Sequence, residues 1–307
     1  MPTTITRIDP ALPLCWEDEY TLRFGFDRAE LRVTRPTATT QRLIGALRDG
    51  VRSDRLAPTL RRLGATQHDW VETTKLLAPI LLRELLRPPP LRLMPRHPAP
   101  HSPALQPPAL HPVENGADVR TRADPSAPLA VAVHGPEGAA EIFRRAGLRA
   151  GFVIDADDPS LVISIERFIA PLDRPTRTLP WGAPQLLIRF GDRSIGIGPL
   201  ISQPGDPCPG CISLGEVDTD PALPAIAAQL LGRVPATETA ACAEVAATLG
   251  VALALHWRAG REGLGRTRYR LAATDGTPLP RIERQTMSAH PACGCALLTA
   301  DAERRAA

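Results

Sequence analysis

The N-terminal part of the chain changes from an alternating to a helical pattern of apolar residues. Residues 20–34, YTLRFGFDRAELRVT, alternate well enough to predict two short strands joined by a turn. The predicted helices that follow cover 38–47, 56–63 and 69–86. Pro79 should kink or restart the last helix, because proline removes a helical N–H and its ring clashes with the preceding turn. A hairpin and three helices predict a small winged-helix-like α+β domain over residues 1–87.

A second segment lacks any hydrophobic period. Twelve prolines lie between residues 86 and 128, with His97, His101 and His111 among them. Proline-rich chain favours extended, solvated backbone, so residues 88–127 are predicted to be a linker. The three histidines have no cysteine or carboxylate at a fixed spacing, which makes a metal site there a poor interpretation.

From residue 128 to about residue 300, strand and helix patterns alternate. LAVAVH predicts a buried strand, residues 135–138 a tight turn, 139–146 a helix, and GFVID a second strand. Further strands are predicted at 185–190 and 194–197, helices at 222–231 and 239–257, and a hairpin at 267–287. The pattern is typical of an α/β, Rossmann-like domain.

Composition agrees with a globular protein of two domains. The chain has 307 residues, of which 43% are hydrophobic, 22% charged and only 4% aromatic, so the cores must be mainly aliphatic. All Lys and Arg residues except Lys75 are arginine, the net charge is +3, and no run of five or six like charges occurs. This distribution disfavours nucleic-acid binding.

The chain shows no sign of membrane insertion or export. There is no uninterrupted run of about 18 apolar residues, and the start MPTTITRIDP lacks the basic and apolar regions of a signal peptide. A soluble, cytoplasmic protein with no membrane partner is therefore predicted. In that reducing compartment, six cysteines indicate a metal site or free thiols and not a disulfide framework.

Four cysteines occur as two pairs far apart in the sequence. Cys208 and Cys211 form a C-x-x-C pair in PCPGC, and Cys293 and Cys295 form a C-x-C pair in HPACGC. Two such pairs supply the four thiolates of a closed tetrahedral zinc site. The sequence therefore predicts one structural zinc ion bound by these four residues.

Other interpretations of the cysteines remain open. A redox-active C-x-x-C pair would need no second pair, and a C-x-C disulfide closes a strained ring, so both are less suited to this pattern. His290 could replace one thiolate as a ligand. Cys242 lies on a predicted Ala-rich helix and is interpreted as a small core residue.

A glycine turn follows the first strand of the second domain. Residues 133–138, VHGPEG, stand where a dinucleotide-binding G-x-G-x-x-G turn would, and Asp155 follows Gly135 at the distance of a ribose-binding acid. The first glycine of the motif is missing, and Pro136 removes a backbone N–H that a phosphate would need. By itself this match is weak.

These features together resemble a known family. The glycine turn, the acid after the second strand, GIGPLISQPGDPCPGC and the closing HPACGC resemble the ThiF/MoeB family of ubiquitin-activating-type adenylyltransferases over about residues 128–298. The chain is more similar still to divergent ThiF-like proteins of azoline-forming (TOMM) peptide-modification clusters, which are cyclodehydratase-type, leader-peptide-binding proteins. This resemblance implies a degenerate ThiF-type fold and a homodimer as a possible assembly.

The chain departs from the catalytic pattern of that family. Members that adenylate a carboxy terminus are expected to carry Asn-Leu-x-Arg-Gln after the second strand and a lysine near the phosphates. The corresponding stretch is IDADDPSLVISIERF, and no lysine follows Lys75. Adenylation is therefore not expected: no catalytic or nucleotide-binding residue is predicted, and ATP is not expected as a cofactor.

The resemblance implies a role in ribosomal peptide modification. The expected function is non-catalytic: the N-terminal domain binds a precursor leader peptide by strand addition, at the edge of the 20–34 hairpin, and presents it to a YcaO-type cyclodehydratase. The alternatives are an ATP-dependent ThiF-type adenylyltransferase with an unusual site, or a ThiF-fold regulatory or scaffold protein. The sequence does not identify the peptide or the partner enzyme.

Overall fold

The computed structural model describes residues 3–86, 127–169, 183–203 and 205–295. The predicted linker at 88–127 lies outside these residues except for Ala127. The domain boundaries at 87 and 128 therefore stay predictions.

The N-terminal part combines three helices with two small sheets. Its elements are β1 (Thr4–Ile8), β2 (Leu14–Trp16), β3 (Thr21–Phe24), β4 (Leu31–Thr34), α1 (Ala38–Asp49), β5 (Val51–Arg52), α2 (Leu56–Leu63), α3 (Gln67–Leu76) and β6 (Leu81–Leu85). β1 lies between β5 and β6 in one antiparallel sheet, and β3 lies between β2 and β4 in the other. The predicted hairpin is present as β3 and β4.

Local sequence signals account for the helices. The Thr37 hydroxyl accepts the N–H of Thr40 at the start of α1, and Thr66 and Asp69 form a reciprocal capping box at the start of α3. The prediction that α3 extends to residue 86 is wrong. The helix ends at Leu76, a short 3-10 turn containing Pro79 follows, and the chain then enters β6.

The two N-terminal sheets share one core with the helices. Its buried apolar residues are Ile8, Leu12, Leu22, Phe24, Val33, Ile44, Leu47, Val51, Leu77 and Ile80. The hairpin thus supplies two strands of a separate three-stranded sheet, and the sheet connected to the helices is made by β1, β5 and β6. The winged-helix assignment itself stays a prediction.

The C-terminal part is a mixed α/β structure around a seven-stranded sheet. Its elements are β7 (Ala130–His134), α4 (Glu137–Arg149), β8 (Val153–Ile154), β9 (Leu161–Arg167), β10 (Gln185–Phe190), β11 (Ser194–Ile201), α5 (Pro209–Thr219), α6 (Leu223–Leu230), α7 (Ala240–Arg258), β12 (Thr267–Thr274) and β13 (Thr277–Thr286). The strand order is β13-β12-β11-β10-β9-β7-β8. β8, β7, β9 and β10 are parallel, and the remaining pairs are antiparallel, which fits a Rossmann-like fold.

Two of these elements were not predicted. β9 is buried along six of its seven residues and carries no alternation, so its sequence LVISIER gives no periodic signal. α5 begins inside PCPGC, where the sequence predicted only a short turn. The predicted helix at 139–146 is longer at both ends, and the GFVID strand shrinks to Val153–Ile154 at the sheet edge.

The two faces of the sheet differ in chemistry. α4 and α7 cover the first face and pack on apolar side chains such as Ile163, Ile188 and Ile197. Among the described helices, α7 alone is long and apolar enough to span a membrane by length and composition. Its inner face is buried against the sheet and α4, as is usual for a core helix. The second face carries polar side chains and is covered by α5.

Two loops join the N-terminal part to the large sheet, and we call residues 25–27 and 191–194 the loop contact. The Asp192 carboxylate accepts the N–H groups of Phe26 and Asp27, both at 2.8 Å. The Asp27 carboxylate in turn accepts the N–H of Arg193 and the hydroxyl of Ser194, both at 2.9 Å. Gly191 is required here, because a Cβ would overlap the Asp27 carboxylate. Each carboxylate therefore satisfies the backbone of the opposite loop.

The loop contact generates a pH prediction. Burial and the nearby Asp27 carboxylate raise the pKa of Asp192 to about 6. The folded state then holds a proton that an unfolded aspartate, with a pKa of about 4, has released. The stability contributed by this proton is present at low pH and is lost as the pH rises through about 6.

Urea unfolding over this pH range measures the effect. We expect wild type to lose stability relative to Asp192→Asn as the pH rises from about 4 to about 7. Asp206→Asn is the matched control, since Asp206 is also buried and accepts two backbone N–H groups, from Ser202 and Gln203. Parallel pH profiles for wild type and Asp192→Asn would contradict the prediction.

Candidate functional site

The first cysteine pair lies at the start of α5. Cys208 is the N-cap residue, Pro209 occupies the first helical position, and Cys211 lies in the first turn. Proline is well accommodated there, because its missing N–H would have no helical partner. The helix start therefore presents both thiols on one side of α5.

The second pair comes from residues 287–295, which follow β13. Met287 packs against Leu187, Ile201 and Ile212, so this segment lies against α5 and the second face of the sheet. A turn closed by the N–H of Cys293 donating to the carbonyl of His290, at 3.0 Å, then aims the second pair at the first.

The four predicted residues come together. The sulfur atoms of Cys208, Cys211, Cys293 and Cys295 all lie within 4.8 Å of one another. Individual sulfur separations are 3.8 Å for 208–211, 3.5 Å for 208–293 and 3.3 Å for 211–295. Four sulfurs placed tetrahedrally about 2.3 Å from zinc would be about 3.8 Å apart. The cluster could therefore hold a metal ion, and its size and donor set suit zinc.

His290 has another role in this geometry. Its Nδ1 accepts the N–H of Ala292 at 3.1 Å, and its Nε2 lies 2.8 Å from Oδ2 of Asp218 on α5. Both ring nitrogens are thus occupied, with Nε2 as the donor. His290 fixes residues 287–295 to α5 and leaves the metal position to the four thiols, in contrast to the alternative in which it replaced one of them.

Thiol ionisation in the cluster depends on burial and on backbone donors. Burial raises the pKa values of Cys208 and Cys295. Burial opposes ionisation of Cys211 as well, but hydrogen bonds, beginning with one from the His290 backbone, lower its pKa overall. A bound dication would favour the thiolate at all four positions.

The other two cysteines are buried outside the cluster. Cys15 packs with Phe168, and Cys242 lies on α7, where it is a small core residue as the sequence predicted.

α5 and the residue that caps its C-terminal end, Asp220, supply three acidic side chains that bind three different parts of the molecule. Glu216 accepts Arg189 of β10 and Arg268 of β12, with shortest distances of 2.6 Å and 2.7 Å. Burial alone would raise the pKa of Glu216, but these two guanidinium groups hold it below the usual range of a glutamate. Asp218 binds His290, and Asp220 binds Arg23 of β3, whose side chain is only 2% exposed. These contacts join residues far apart in the sequence and give no local sequence signal.

The glycine turn after β7 is closely packed. Gly135 has a φ of +146°, and a Cβ there would lie 2.6 Å from the Cβ and 2.7 Å from the carbonyl oxygen of Ile165 on β9. Pro136 is the N-cap residue of α4, and the Glu137 carboxylate stands in the first turn, paired with Arg144. A carboxylate at this helix start opposes an approaching phosphate.

Asp155 is engaged in its own loop. Its Oδ1 accepts the N–H groups of Asp157 and Asp158, at 2.9 Å and 3.1 Å. This is the geometry of an Asx turn, which accounts for the aspartate without a ribose.

Comparisons with known proteins found similarity to solved structures. No protein-family model and no curated protein matches it. Among solved structures it is similar to the heterocyclase TruD, at 13% identity and a TM-score of 0.42, over 95% of this chain and 42% of that one. It is also similar to the E. coli microcin synthetase McbBCD complex, at 12% identity and a TM-score of 0.42, over 94% of this chain and 100% of that one. E. coli MccB with ATP matches at 10% identity and a TM-score of 0.36, over 95% and 99%.

The chain spans about two fifths of the length of the TruD chain that it matches, 42%. Identities of 10–13% and TM-scores of 0.36–0.42 are too low for these structures to assign a function here.

The cysteine cluster generates a prediction about metal content. Purified protein should contain about one zinc ion per chain, and Cys208→Ser or Cys293→Ser should lose the metal. The free energy of unfolding should fall by more than about 4 kcal/mol, because metal binding at such sites is coupled to folding. Elemental analysis and urea unfolding measure the two effects.

Cys15→Ser and Cys242→Ser are the controls, since both thiols are buried outside the cluster. Both control variants should keep the metal, even where the substitution lowers the free energy of unfolding. A metal-free, fully folded wild-type protein after expression with zinc would contradict the prediction.

Proposed function

We propose that this chain is a non-catalytic protein of ribosomal peptide modification, in which a structural zinc ion is bound by Cys208, Cys211, Cys293 and Cys295. It binds an extended leader peptide and presents it to a YcaO-type cyclodehydratase. The observation that carries the proposal is an exposed, leucine-rich strand edge at β6, in the N-terminal part.

β6 offers backbone groups for strand addition. The strand lies at the end of its sheet, and no other strand pairs with its outer edge in the part of the chain that the structure describes. The N–H of Leu86 donates to the carbonyl of Thr3, on the β1 side. Because the hydrogen-bonding direction alternates along a strand, Leu81, Arg83 and Leu85 turn their N–H and C=O groups away from β1. An extended peptide could pair with these three residues.

The side chains at this edge supply apolar contacts on both faces. Leu85 is 63% exposed on one face, and Leu82 and Leu86 are exposed on the other. Native proteins usually protect such an edge, because exposed apolar strands aggregate. A peptide strand with apolar side chains at consecutive positions would present them to both faces and so cover the leucines on each.

The edge differs from the one that the sequence suggested. We expected the peptide at the 20–34 hairpin, but Leu22, Phe24 and Val33 of that hairpin are buried in the N-terminal core. β6 replaces it as the proposed peptide-binding edge. A cytoplasmic location, predicted from the sequence, and a possible homodimer, implied by the family resemblance, remain part of the proposal.

The runner-up function, adenylation, has its own test. The packed turn at Gly135, the missing N–H of Pro136 and the Glu137 carboxylate all oppose phosphate binding. We therefore expect no saturable ATP binding by calorimetry at concentrations below about 1 mM, which corresponds to about 4 kcal/mol of binding free energy. We also expect no pyrophosphate exchange with any carboxy-terminal peptide. Micromolar ATP binding together with exchange would favour the adenylyltransferase.

Peptide capture is tested on the full chain by fluorescence polarisation. The probe is the labelled leader of a precursor peptide encoded beside this gene. Leu85→Asp should weaken binding at least about tenfold, because it removes an apolar contact and places a carboxylate at the edge. Arg83→Pro should have a similar effect, because proline removes an outward N–H and adds bulk at the edge.

Leu279→Asp is the matched control. Leu279 is also an exposed leucine on an edge strand, β13, but it belongs to the large sheet. The Leu279→Asp variant should bind the leader peptide with the affinity of wild type. Equal loss of binding in Leu279→Asp and Leu85→Asp, or no binding of the leader by wild type, would count against capture at β6.

A further inference from the structure

A cavity of about 750 Å³ lies between the second face of the sheet, α5, residues 285–291 and the loop contact. We call it the inter-module cavity. Its size falls within the range of small-molecule sites, about 300–1,000 Å³. The peptide-binding edge at β6 contributes no residue to its wall.

Three arginines form the floor of the inter-module cavity. Arg189, Arg268 and Arg270 project from β10 and β12 onto the second face, around the position of Gly196 on β11. Gly196 has no side chain, and Arg268 lies over it, since a Cβ at Gly196 would be 3.3 Å from Cδ of Arg268. Because Gly196 has no side chain, it leaves space on the sheet surface for the three neighbouring guanidinium groups.

The arginines of the floor differ in how fully they are paired. Arg189 binds both Glu166 and Glu216, whereas Arg268 pairs with Glu216 and, among the described residues, its buried Nε has no hydrogen-bond acceptor. Arg270 donates to the hydroxyl of Ser194 and forms a long ion pair with Asp27, with 3.9 Å between the closest nitrogen and oxygen atoms.

Burial and repulsion from Arg189 lower the pKa of Arg268, and the attraction of Glu216 offsets this only in part. An added anion would relieve the repulsion between the arginines.

Two acidic side chains besides Glu216 also line the cavity. Asp220 is paired with Arg23, and the Asp27 carboxylate accepts hydrogen bonds from Arg193 and Ser194.

The rest of the wall includes apolar side chains. Phe26, Leu223 and Met287 border the cavity, and Gln285 adds an amide. Such a wall accommodates an apolar body beside a charged group.

We propose that the inter-module cavity binds an organic oxyanion, a small ligand with a carboxylate or phosphoryl group on an apolar body. The oxyanion accepts hydrogen bonds from Arg268 and Arg270, and the apolar body contacts Phe26, Leu223 and Met287. Arginine suits this task because its planar fork matches both carboxylate and phosphate oxygens. The site is independent of peptide capture at β6.

Calorimetry on the full chain with three probes tests the site. The probes are N-acetyl-L-leucine, its neutral amide N-acetyl-L-leucinamide, and phenyl phosphate. We expect the amide not to bind and at least one anion to bind, more weakly at high salt. Preference for N-acetyl-L-leucine or for phenyl phosphate identifies the carboxylate or the phosphoryl source.

Arg270→Gln should weaken binding of the anion at least about tenfold, the usual effect of losing a charge-assisted hydrogen bond. Arg281→Gln is the matched control: it removes the same charge from the same hairpin, but Arg281 is 72% exposed and pairs with Glu283.

Gln285→Glu is a second test that removes no buried contact, and its added negative charge should also weaken binding of the anion. Equal binding of anion and amide, no binding of either anion, or unchanged affinity in both Arg270→Gln and Gln285→Glu would overturn the proposal.

Discussion

The contact between α5 and the cysteine cluster is the constraint on which the second half of this molecule depends. Cys208 and Cys211 lie at the start of α5, and Cys293 and Cys295 of residues 287–295 lie beside them. No covalent link holds these two segments together, and the apolar contacts beneath them are few: Leu187, Ile201, Ile212 and Met287. A metal ion bound by the four thiols would supply what this small apolar cluster lacks.

The ion pairs between α5 and the second face depend on the position of α5. With its start fixed, Glu216 reaches Arg189 and Arg268, and Asp220 reaches Arg23 in the N-terminal part. Buried charges of this kind are tolerated only when each has a partner, and α5 provides the partners. The first face has no such dependence, because α4 and α7 pack on it through aliphatic side chains. A metal ion bound by the four thiols would therefore have a structural role: it would hold α5 beside the inter-module cavity and the loop contact, and four protein ligands would leave no open ligand position.

The sequence predicts those elements that are encoded by a local pattern of residues. It does not predict features that depend on contacts between residues far apart in the chain. α1 begins at a threonine cap and carries an apolar stripe, and α7 begins at a threonine cap and is apolar along most of its length. The two cysteine pairs have a spacing typical of metal ligands, and their sulfur atoms lie together, so these features could be recognised in the sequence. β9 is buried on both faces and shows no alternation, and α5 begins with proline and glycine, which suggest a turn. The contacts of Asp27 with residues 193 and 194, and of Arg23 with Asp220, join residues more than 160 positions apart, with separations of 166, 167 and 197. No pattern in one sequence reveals such pairs.

Hydrogen exchange on metal-loaded and chelated protein tests the central claim most directly. Removing the metal should deprotect the amides of α5, of residues 287–295 and of the loop contact together, because all three depend on the position of α5. The amides of α4 and α7 should keep most of their protection, since the first face packs independently of α5. Unchanged protection of α5 after the metal has been removed would contradict the claim that the cysteine cluster fixes this helix.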